Sequence, residues 1–237
     1  FYSGSNPRDG RLVDARRAYA AGLDTLDGGA GTDSADFSAF GSAVWLKLAY
    51  AGPEAWTRDQ PNLNTTGTWR AIADLASIEN VVGTAYADDI TGDAQANSIA
   101  GGLGNDFIDG GDGNDSLSGG GGNDTLTGGT GNDVFVFNST PNAASNLDSI
   151  SGFVSGSDSI GLDDSVFAAL AVGSVAAGSF LSGAGVTAAA DANDFLIYNT
   201  TTGALYYDPD GNDGSAPTQF ASLSGHPALG ASDFVVM

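Results

Sequence analysis

Aspartate residues recur at every ninth position in the middle of this chain, each after a run of small residues. From Gly83 to Val136 the sequence divides into six nonapeptides, which read GTAYADDIT, GDAQANSIA, GGLGNDFID, GGDGNDSLS, GGGGNDTLT and GGTGNDVFV. Glycine is always first, an apolar residue is always eighth, and aspartate is sixth except at Asn97. Calcium prefers carboxylate and carbonyl oxygens as ligands. Glycine accepts the positive φ angles that let a tight turn point its carbonyls at one centre. Loops of this composition can therefore offer the two kinds of oxygen atom that such a cation needs.

The apolar eighth residues indicate how these loops are positioned. A short strand is expected after each loop, and one residue of it points inward because side chains alternate along a strand. Each nonapeptide then buries about one large side chain, which is too little to offset the backbone entropy of ordering the repeat. We therefore expect bound metal to supply much of the stability, and the acidic chain to be largely unfolded without it.

These nonapeptides resemble the calcium-binding repeats of the RTX (repeats-in-toxin) family. The resemblance implies an all-β fold, a parallel β-roll in which two nonapeptides make one turn. Loops that begin at Gly83, Gly101 and Gly119 would then lie on one edge, and those that begin at Gly92, Gly110 and Gly128 on the other. The resemblance also implies several Ca²⁺ ions between stacked loops, held by loop carbonyls and an aspartate from each loop. The first two loops depart from the glycine-rich pattern, so we expect fewer or weaker ions there.

The candidate calcium ligands lie in the repeats and in flanking segments that resemble them. Gly28–Asp33 forms one further glycine–aspartate loop, with Asp36 as an additional candidate, and two later aspartates would close the final positions. The complete set is Asp33, Asp36, Asp88, Gly101, Gly102, Leu103, Gly104, Asp106, Gly110, Gly111, Asp112, Gly113, Asp115, Gly119, Gly120, Gly121, Gly122, Asp124, Gly128, Gly129, Thr130, Gly131, Asp133, Asp148 and Asp158.

The pattern divides the chain into four parts. Residues 1–22 are interpreted as a linker or the tail of an upstream region, with a short helix over Asp14–Ala21. Residues 23–82 are interpreted as degenerate first coils with an inserted tryptophan-containing loop; Ile72 and Val81 fall at eighth positions and Glu79 at a sixth. Residues 83–137 form the nonapeptide roll. Residues 138–237 form a β-sandwich-like cap with short helices, one of them predicted after Asp163 or Asp164, and a hairpin formed by 194–199 and 204–208.

The end of the chain, Ala231-Ser232-Asp233-Phe234-Val235-Val236-Met237, resembles the terminus of type I secretion substrates. With the preceding hairpin, it is similar to the C-terminal module of serralysin-type proteases and other exported proteins. This resemblance implies a type I secretion signal, an ABC exporter as partner, and a secreted, extracellular or cell-surface location. The sequence opens on Phe1 rather than methionine, so we expect it to be part of a larger protein.

Two segments carry alternative interpretations. Trp45, Trp56 and Trp69 either cover the open end of the roll, as terminal repeats require, or form an aromatic platform of an adhesin, lectin-like or layer-forming module that binds a glycan or a cell surface. The segment Asp208–Asp213 is either a second type of calcium loop or a solvated turn, since it lacks the spacing of an EF-hand.

Composition restricts the remaining functions. The formal net charge is −22, which disfavours nucleic acid and anionic membranes as partners. Cysteine is absent, which rules out disulfides and thiolate chemistry. No apolar run reaches membrane-spanning length, so membrane insertion is not expected. His226 is the one histidine, so a catalytic site that needs more than one histidine is ruled out. We therefore expect no enzyme within this sequence.

Overall fold

The computed structural model of the protein describes residues 12–14, 24–49, 54–58, 69–212 and 214–237. In these residues most regular structure is β-strand, arranged in two sheets. Sheet A contains, in spatial order, β1 (Leu12–Asp14), β3 (Ser34–Asp36), β7 (Asn80–Val82), β9 (Ser98–Leu103), β11 (Ser116–Gly121), β13 (Val134–Phe137), β15 (Ser159–Leu162), β21 (Phe234–Val236) and β16 (Gly173–Ser174). Sheet B contains, in spatial order, β17 (Phe180–Gly183), β18 (Leu196–Asn199), β19 (Ala204–Tyr207), β20 (Thr218–Leu223), β14 (Asp148–Ser151), β12 (Thr125–Thr130), β10 (Phe107–Asp112), β8 (Asp89–Thr91), β4 (Val44–Lys47), β5 (Ala55–Arg58), β6 (Trp69–Ala76) and β2 (Asp24–Asp27).

The nonapeptides form a parallel β-roll, as predicted. Successive strands from β7 to β15 alternate between the two sheets, and each strand from β7 to β13 pairs in parallel with the next strand of its own sheet along the chain. The loops beginning at Gly83, Gly101 and Gly119 therefore precede strands of sheet B, whereas those beginning at Gly92, Gly110 and Gly128 precede strands of sheet A. The strands β9 to β12 are six residues long and run into the glycines of the next loop.

The core is a row of apolar residues stacked between the sheets. Successive strands place their eighth-position side chains directly above one another, and these side chains are buried. The row in sheet A is Val81, Ile99, Leu117, Phe135, Ile160 and Phe234. The row in sheet B is Leu46, Ile90, Ile108, Leu126, Ile150 and Leu223. Both rows continue beyond the nonapeptides, so the flanking segments extend the same core.

The inserted segment between β4 and β7 differs from the expected loop. Trp56 lies in β5, which pairs antiparallel with β4 so that Trp45 and Trp56 are direct cross-strand partners. β6 is antiparallel to β5 and parallel to β2, and Ile72 lies where the β5–β6 register shifts. The assignment of Ile72 to an eighth-position rung is therefore wrong, although its side chain is buried. Residues 50–53 and 59–68 of the predicted loop lie outside the described residues.

Other expectations for the flanking parts have mixed outcomes. The hairpin of β18 and β19 is confirmed. The helix predicted after Asp163 is wrong, because residues 163–170 form successive turns; the helical segments described in the cap are 3-10 turns at Ala177–Ser179 and Ala231–Asp233. Asp14 belongs to β1, and the rest of the helix predicted over Asp14–Ala21 lies outside the described residues. In the part of the chain that the structure describes, no helix is long and apolar enough to cross a membrane.

An aromatic cluster closes the core at the end that the cap occupies. The ring of Phe167 contacts Phe220 and Tyr207, with centroids 5.2 and 4.8 Å away, and Phe137 packs on Phe220 at 4.9 Å. This cluster buries several large side chains in one place, whereas each repeat of the roll buries one. Its stability therefore depends more on apolar burial than that of the roll does.

Candidate calcium centres

Four loops share the full glycine-rich pattern, and we call them the consensus loops: 101–106, 110–115, 119–124 and 128–133. Their sixth-position aspartates are between 1 and 2% exposed although they stand at the edge of the roll. The carboxylate of each one occupies the space where the first residue of its loop would carry a side chain. A Cβ atom at Gly119, for example, would overlap with the carboxylate of Asp124. The first glycine is therefore required because it makes room for the aspartate.

One carboxylate oxygen of each aspartate has a fixed partner in the preceding coil. Asp124 Oδ1 accepts a hydrogen bond from the Asp106 N–H at 2.8 Å, and Asp106 Oδ1 accepts one from the Asp88 N–H at 2.8 Å. The opposite edge has the same arrangement, with Asp133 Oδ1 accepting from the Asp115 N–H at 2.9 Å. The structure therefore stacks the predicted aspartates in two ladders, one along each edge.

The second oxygen has no such partner. Oδ2 is fully buried and lacks a hydrogen bond in the sixth-position aspartates of all four consensus loops and in Asp33. Burying a carboxylate oxygen without a partner is costly, and no lysine or arginine follows Arg70 in the sequence to compensate the charge. The residues present fit a bound cation, since a cation would supply the missing partner for each of these oxygens.

Backbone carbonyls complete the donor set. The second and fourth glycines of the consensus loops have positive φ, such as +95° at Gly120 and +138° at Gly122. A Cβ atom at either position would overlap with a carbonyl group of the coil below, that of Gly102 or Gly104. The stacked loops thus bring carbonyl oxygens and carboxylates close together, which is the ligand mixture that calcium prefers. Among the described residues, no three histidine, aspartate or glutamate side chains gather in one metal-type cluster, so these centres rely on main-chain oxygens.

The third-position residues contribute mainly to the stacking of the loops. The Gly104 N–H donates to the carbonyl of Gly121, and the Gly113 N–H donates to that of Thr130, both at 2.8 Å. In the same coil pair, the Thr130 hydroxyl donates to Asp112 Oδ1 at 2.7 Å. The side chain of Leu103, the corresponding residue of the first consensus loop, is 61% exposed.

Burial opposes ionisation of the stacked carboxylates. It raises the pKa of Asp106 to about 8 and that of Asp148 to about 7, with neighbouring aspartates adding to both shifts. The same cause raises the pKa of Asp115 and Asp124 to about 6. Without a cation these groups therefore hold protons more tightly than free aspartate does. A divalent ion among them would favour the charged form.

The loops 83–88 and 92–97, which we call the degenerate loops, satisfy their sixth-position side chains internally. Asp88 Oδ2 accepts the Thr84 N–H at 2.6 Å, and its Oδ1 accepts the Val44 N–H at 2.7 Å and the Thr84 hydroxyl at 2.9 Å. Asn97 Oδ1 accepts the Asp93 N–H at 2.8 Å. Asp88 thus differs from the sixth-position aspartates of the consensus loops, because both of its oxygens already have donors. Asp158 shares this feature, since its Oδ2 accepts the Val154 N–H at 2.7 Å.

The flanking candidates fall into two groups. Asp148 and Asp158 extend the ladders, since their Oδ1 atoms accept the N–H groups of Asp124 and Asp133, each at 3.0 Å. Asp36, in contrast, faces away from the core on β3, where its Oδ1 accepts the Ser38 N–H at 2.8 Å. The structure does not place it among the stacked loop carboxylates.

Glu79 is a further residue of the N-terminal ladder that was not among the predicted ligands. The Asp33 N–H donates to Glu79 Oε2 at 2.9 Å, which is the contact that a sixth-position aspartate makes elsewhere. A side chain at Gly28 would overlap with Asp33 and with the carbonyl of Ser77, so this loop has the consensus geometry. Its stacking partner comes after the inserted strands β5 and β6. The sixth-position register of Glu79 was the available signal.

The fifth-position asparagines form a second ladder, which the sequence analysis did not identify. The Asn123 N–H donates to Asn105 Oδ1, the Asn132 N–H donates to Asn114 Oδ1, and the Leu147 N–H donates to Asn123 Oδ1, each at 2.9 Å. The signal was present in the sequence, because asparagine occupies this position in four successive nonapeptides. These amides tie the outer rims of neighbouring loops together.

Comparisons with known proteins agree with the repeats. A family model for the RTX calcium-binding nonapeptide repeat matches in four copies, over residues 20–37, 77–108 and 101–135. No curated protein sequence matches the chain significantly. Among the solved structures that match is the solution structure of the AlgE6R3 subunit of the mannuronan C5-epimerase from Azotobacter vinelandii. It has 25% sequence identity and a TM-score of 0.38, over 62% of this chain and 78% of that chain. The stacked glycine–aspartate loops and the family match together identify the protein as a carrier of RTX repeats, whose metal is Ca²⁺.

Proposed function

We propose that this chain is a calcium-dependent export and folding module, which leaves the cell unfolded through a type I ABC exporter and folds on extracellular calcium. The observation that carries the proposal is the set of buried Oδ2 atoms without partners in the consensus loops. A chain with these groups and a net charge of −22 gains little from folding until a cation neutralises them.

The proposed ions lie between loops that stack on one edge. On the edge of sheet B, the carboxylates of Asp106, Asp124 and Asp148 would hold them, with glycine carbonyls of the loops between. On the edge of sheet A, Asp115 and Asp133 would do the same, with a smaller contribution from Asp158, whose Oδ2 already accepts the Val154 N–H. Asp33 with Glu79 would form an N-terminal centre. Asp88 and Asn97 would contribute less, because donors within their own loops already occupy their side-chain oxygens.

A series of sites is needed because each one contributes little. Extracellular calcium sites have dissociation constants of about 10⁻⁴–10⁻³ M. At about one to ten times the dissociation constant, one ion stabilises the folded state by only about 0.4–1.4 kcal/mol. Several such ions, coupled through shared loops, supply enough to determine whether the roll folds. In the cytosol, where free calcium is scarce, the same linkage leaves the chain unfolded and able to be exported.

The terminal segment supports this order of events. Phe234 and Val236 are buried in β21, which pairs with β15. Asp233 Oδ1 accepts the Gly156 N–H at 3.0 Å, and its Oδ2 accepts the Gly230 N–H at 2.8 Å. An exporter that reads Asp233–Met237 would therefore find this segment accessible before folding and covered afterwards. Export has to precede folding if this segment is the signal.

A calcium titration of the purified chain tests the folding half of the proposal. Far-UV circular dichroism should show little β-structure in chelator and a cooperative gain as calcium is added. Magnesium should substitute poorly, because it demands a tighter octahedral shell than irregular carbonyl-rich loops provide. A fully folded spectrum in chelator would contradict the proposed switch.

Secretion of two variants through the cognate exporter tests the export half. Deletion of 233–237 should abolish secretion and also lower the thermal midpoint, because it removes a core strand. Phe220→Ala provides the matched control, since it destabilises the same cap and leaves the terminus intact. The control should be secreted at normal levels. Secretion of the deletion variant at the level of the control would overturn the export proposal.

A second candidate function is a surface-binding module that uses the tryptophans. The observation that favours it is the cross-strand pair of Trp45 and Trp56, both half-buried, on the outward side of sheet B. Phe107 lies on the same side and is 45% exposed. Glycan-array binding by the folded chain, lost in Trp45→Ala but retained in Phe220→Tyr, would support this alternative; no binding to any glycan would remove it.

A further inference from the structure

Asp208 and Asp210 form an acidic site in the cap, outside the nonapeptide loops. Asp208 follows directly after β19, and it is 1% exposed. Its N–H donates to the carbonyl of Phe195 at 2.9 Å, which fixes the start of the turn. The Asp210 N–H then donates back to Asp208 Oδ1 at 3.3 Å, so the turn folds around the first carboxylate.

The two carboxylates lack a compensating group. They lie within hydrogen-bonding range of each other, and burial with the neighbouring Asp210 raises the pKa of Asp208. Asp210 Oδ2 accepts the Ser215 N–H at 3.3 Å, whereas Asp210 Oδ1 is fully buried and has no hydrogen-bond partner. This is the same feature that marks the consensus loops, although the turn has no glycine–aspartate repeat and no stacked coil.

A neighbouring loop brings further oxygen atoms to the turn. Gly211 has a φ of +66° and packs against Ala192; a Cβ atom there would lie 2.6 Å from the Ala192 carbonyl oxygen. The loop around Ala192 is held by Asp194, whose Oδ2 accepts the N–H groups of Ala190 and Asp191 at 2.9 and 3.1 Å. The turn and the loop are therefore in contact through main-chain atoms, and both positions are fixed by hydrogen bonds.

The geometry points to a calcium site at this turn, in which Asp208 and Asp210 hold one ion that fastens the turn to the loop around Ala192. The chemistry is that of a hard cation, because the available donors are carboxylate and carbonyl oxygens. An internal counter-charge is not at hand, since the sequence has neither lysine nor arginine after Arg70. A proton shared by the two carboxylates is the competing explanation, and the number of bound ions distinguishes the two.

Native mass spectrometry of the folded chain in calcium tests the site directly. Asp208→Asn combined with Asp210→Asn should lower the number of bound ions by one per chain. Asp164→Asn is the control, because Asp164 is an exposed aspartate of the same cap and its replacement changes the charge in the same direction, by one unit. The control should retain every ion. An unchanged ion count in the double variant would overturn the site and favour the shared proton.

A second variant covers the case in which the double variant fails to fold. Asp210→Asn alone leaves the buried Asp208 in place, and it should weaken retention of the last ion at low calcium while circular dichroism stays that of the wild type. Failure of this proposal is distinguishable from failure of calcium binding by the roll. In the first case, every ion remains in both variants; in the second, the wild-type chain itself shows no calcium-dependent folding.

Discussion

The consensus loops and the degenerate loops follow the same path along the roll but satisfy their sixth-position side chains differently. Asp124 keeps one buried carboxylate oxygen without a hydrogen-bond donor, whereas both carboxylate oxygens of Asp88 have donors. The positive-φ glycines at the second and fourth positions make the difference, because Thr84 and Tyr86 adopt ordinary backbone angles in the degenerate loop. A loop of ordinary residues closes on its own aspartate. A loop with glycine at these two positions keeps its carbonyl and carboxylate oxygens available to a cation.

The comparison teaches that metal dependence in this roll is set locally. Both kinds of loop stack in the same parallel register and bury the same type of eighth residue. Hydrogen bonds from within the loop can therefore satisfy the sixth-position side chain in place of a cation. Such a loop then binds calcium less well. The degenerate loops would then act as a metal-independent start of the roll, on which the calcium-dependent coils assemble.

The largest effect should come from removing a fourth-position glycine. Gly122→Ala places a Cβ against the Gly104 carbonyl at a φ of +138°, so it strains the loop by about 1–3 kcal/mol and displaces a donor group. We expect the calcium midpoint of folding to rise at least about tenfold. The matched control is Tyr86→Ala, at the same position of a degenerate loop, and it should shift the midpoint little. Equal shifts in the two variants would remove the distinction between the loops.

A smaller effect should separate the two kinds of aspartate. Asp115→Asn removes a charge from a consensus loop and should raise the calcium midpoint about tenfold, with little change in chelator. Asp88→Asn should leave the midpoint within about twofold. It should instead lower the thermal midpoint in saturating calcium, because a hydrogen bond to a charged acceptor contributes about 1.5–3 kcal/mol. Calcium titrations and melting curves of both variants check this, and an equal rise in calcium midpoint would show that Asp88 binds as strongly as Asp115.

The repeat period made most of the roll predictable. A fixed spacing of glycine, aspartate and an apolar residue determines which residues stack, so the row from Ile90 to Leu126 and the placement of the loops followed from the sequence. It was harder to predict from the sequence which loops satisfy their own sixth-position side chains. That Asp88 is internally satisfied depends on where the Thr84 N–H points, which the spacing does not encode.

Contacts between residues on either side of the inserted strands also could not be predicted from the sequence. Glu79 pairs with Asp33 only because β5 and β6 form strands of sheet B rather than a loop, which brings the two coils together across the insertion. Ile72 matched the nonapeptide period by coincidence. Its strand is positioned by antiparallel pairing, in which the period of the roll has no meaning.

The pH response should also differ between metal-free and calcium-bound protein. Folding raises the pKa of Asp106 to about 8 and of Asp148 to about 7, from 3.8 in both cases. The metal-free folded state therefore binds more protons than the unfolded state between pH 4 and 8, and its stability falls as the pH rises through this window. In calcium-free buffer we expect more β-structure at pH 4.5 than at pH 8, measured by circular dichroism.

Calcium should reverse the sign of this dependence. Protons compete with the ion for the same carboxylates, so the calcium midpoint should increase as the pH falls from 8 to 6. Asp106→Asn should flatten both responses more than Asp88→Asn, because burial raises the pKa of Asp88 only to about 6. A calcium midpoint that is independent of pH would mean that the consensus carboxylates are ionised in the folded chain even without metal.

The smallest effect concerns the asparagine ladder, which ends where the degenerate loops begin. Asn132 donates to Asn114, but the next rung down is Ala96, which offers no side-chain acceptor. Asn123→Ala should cost about 0.5–1.5 kcal/mol, because it removes the Oδ1 atom that accepts the Leu147 N–H. Ala96→Asn should recover a similar or smaller amount by adding one rung. Thermal midpoints in saturating calcium measure both changes, and the calcium midpoint should hardly move in either variant because the amides lie on the outer rim. If Ala96→Asn destabilises the protein, the backbone of the degenerate loop does not align its rim with the coil above. The difference between the consensus and degenerate loops would then include the outer rim of the loops as well as the candidate calcium ligands.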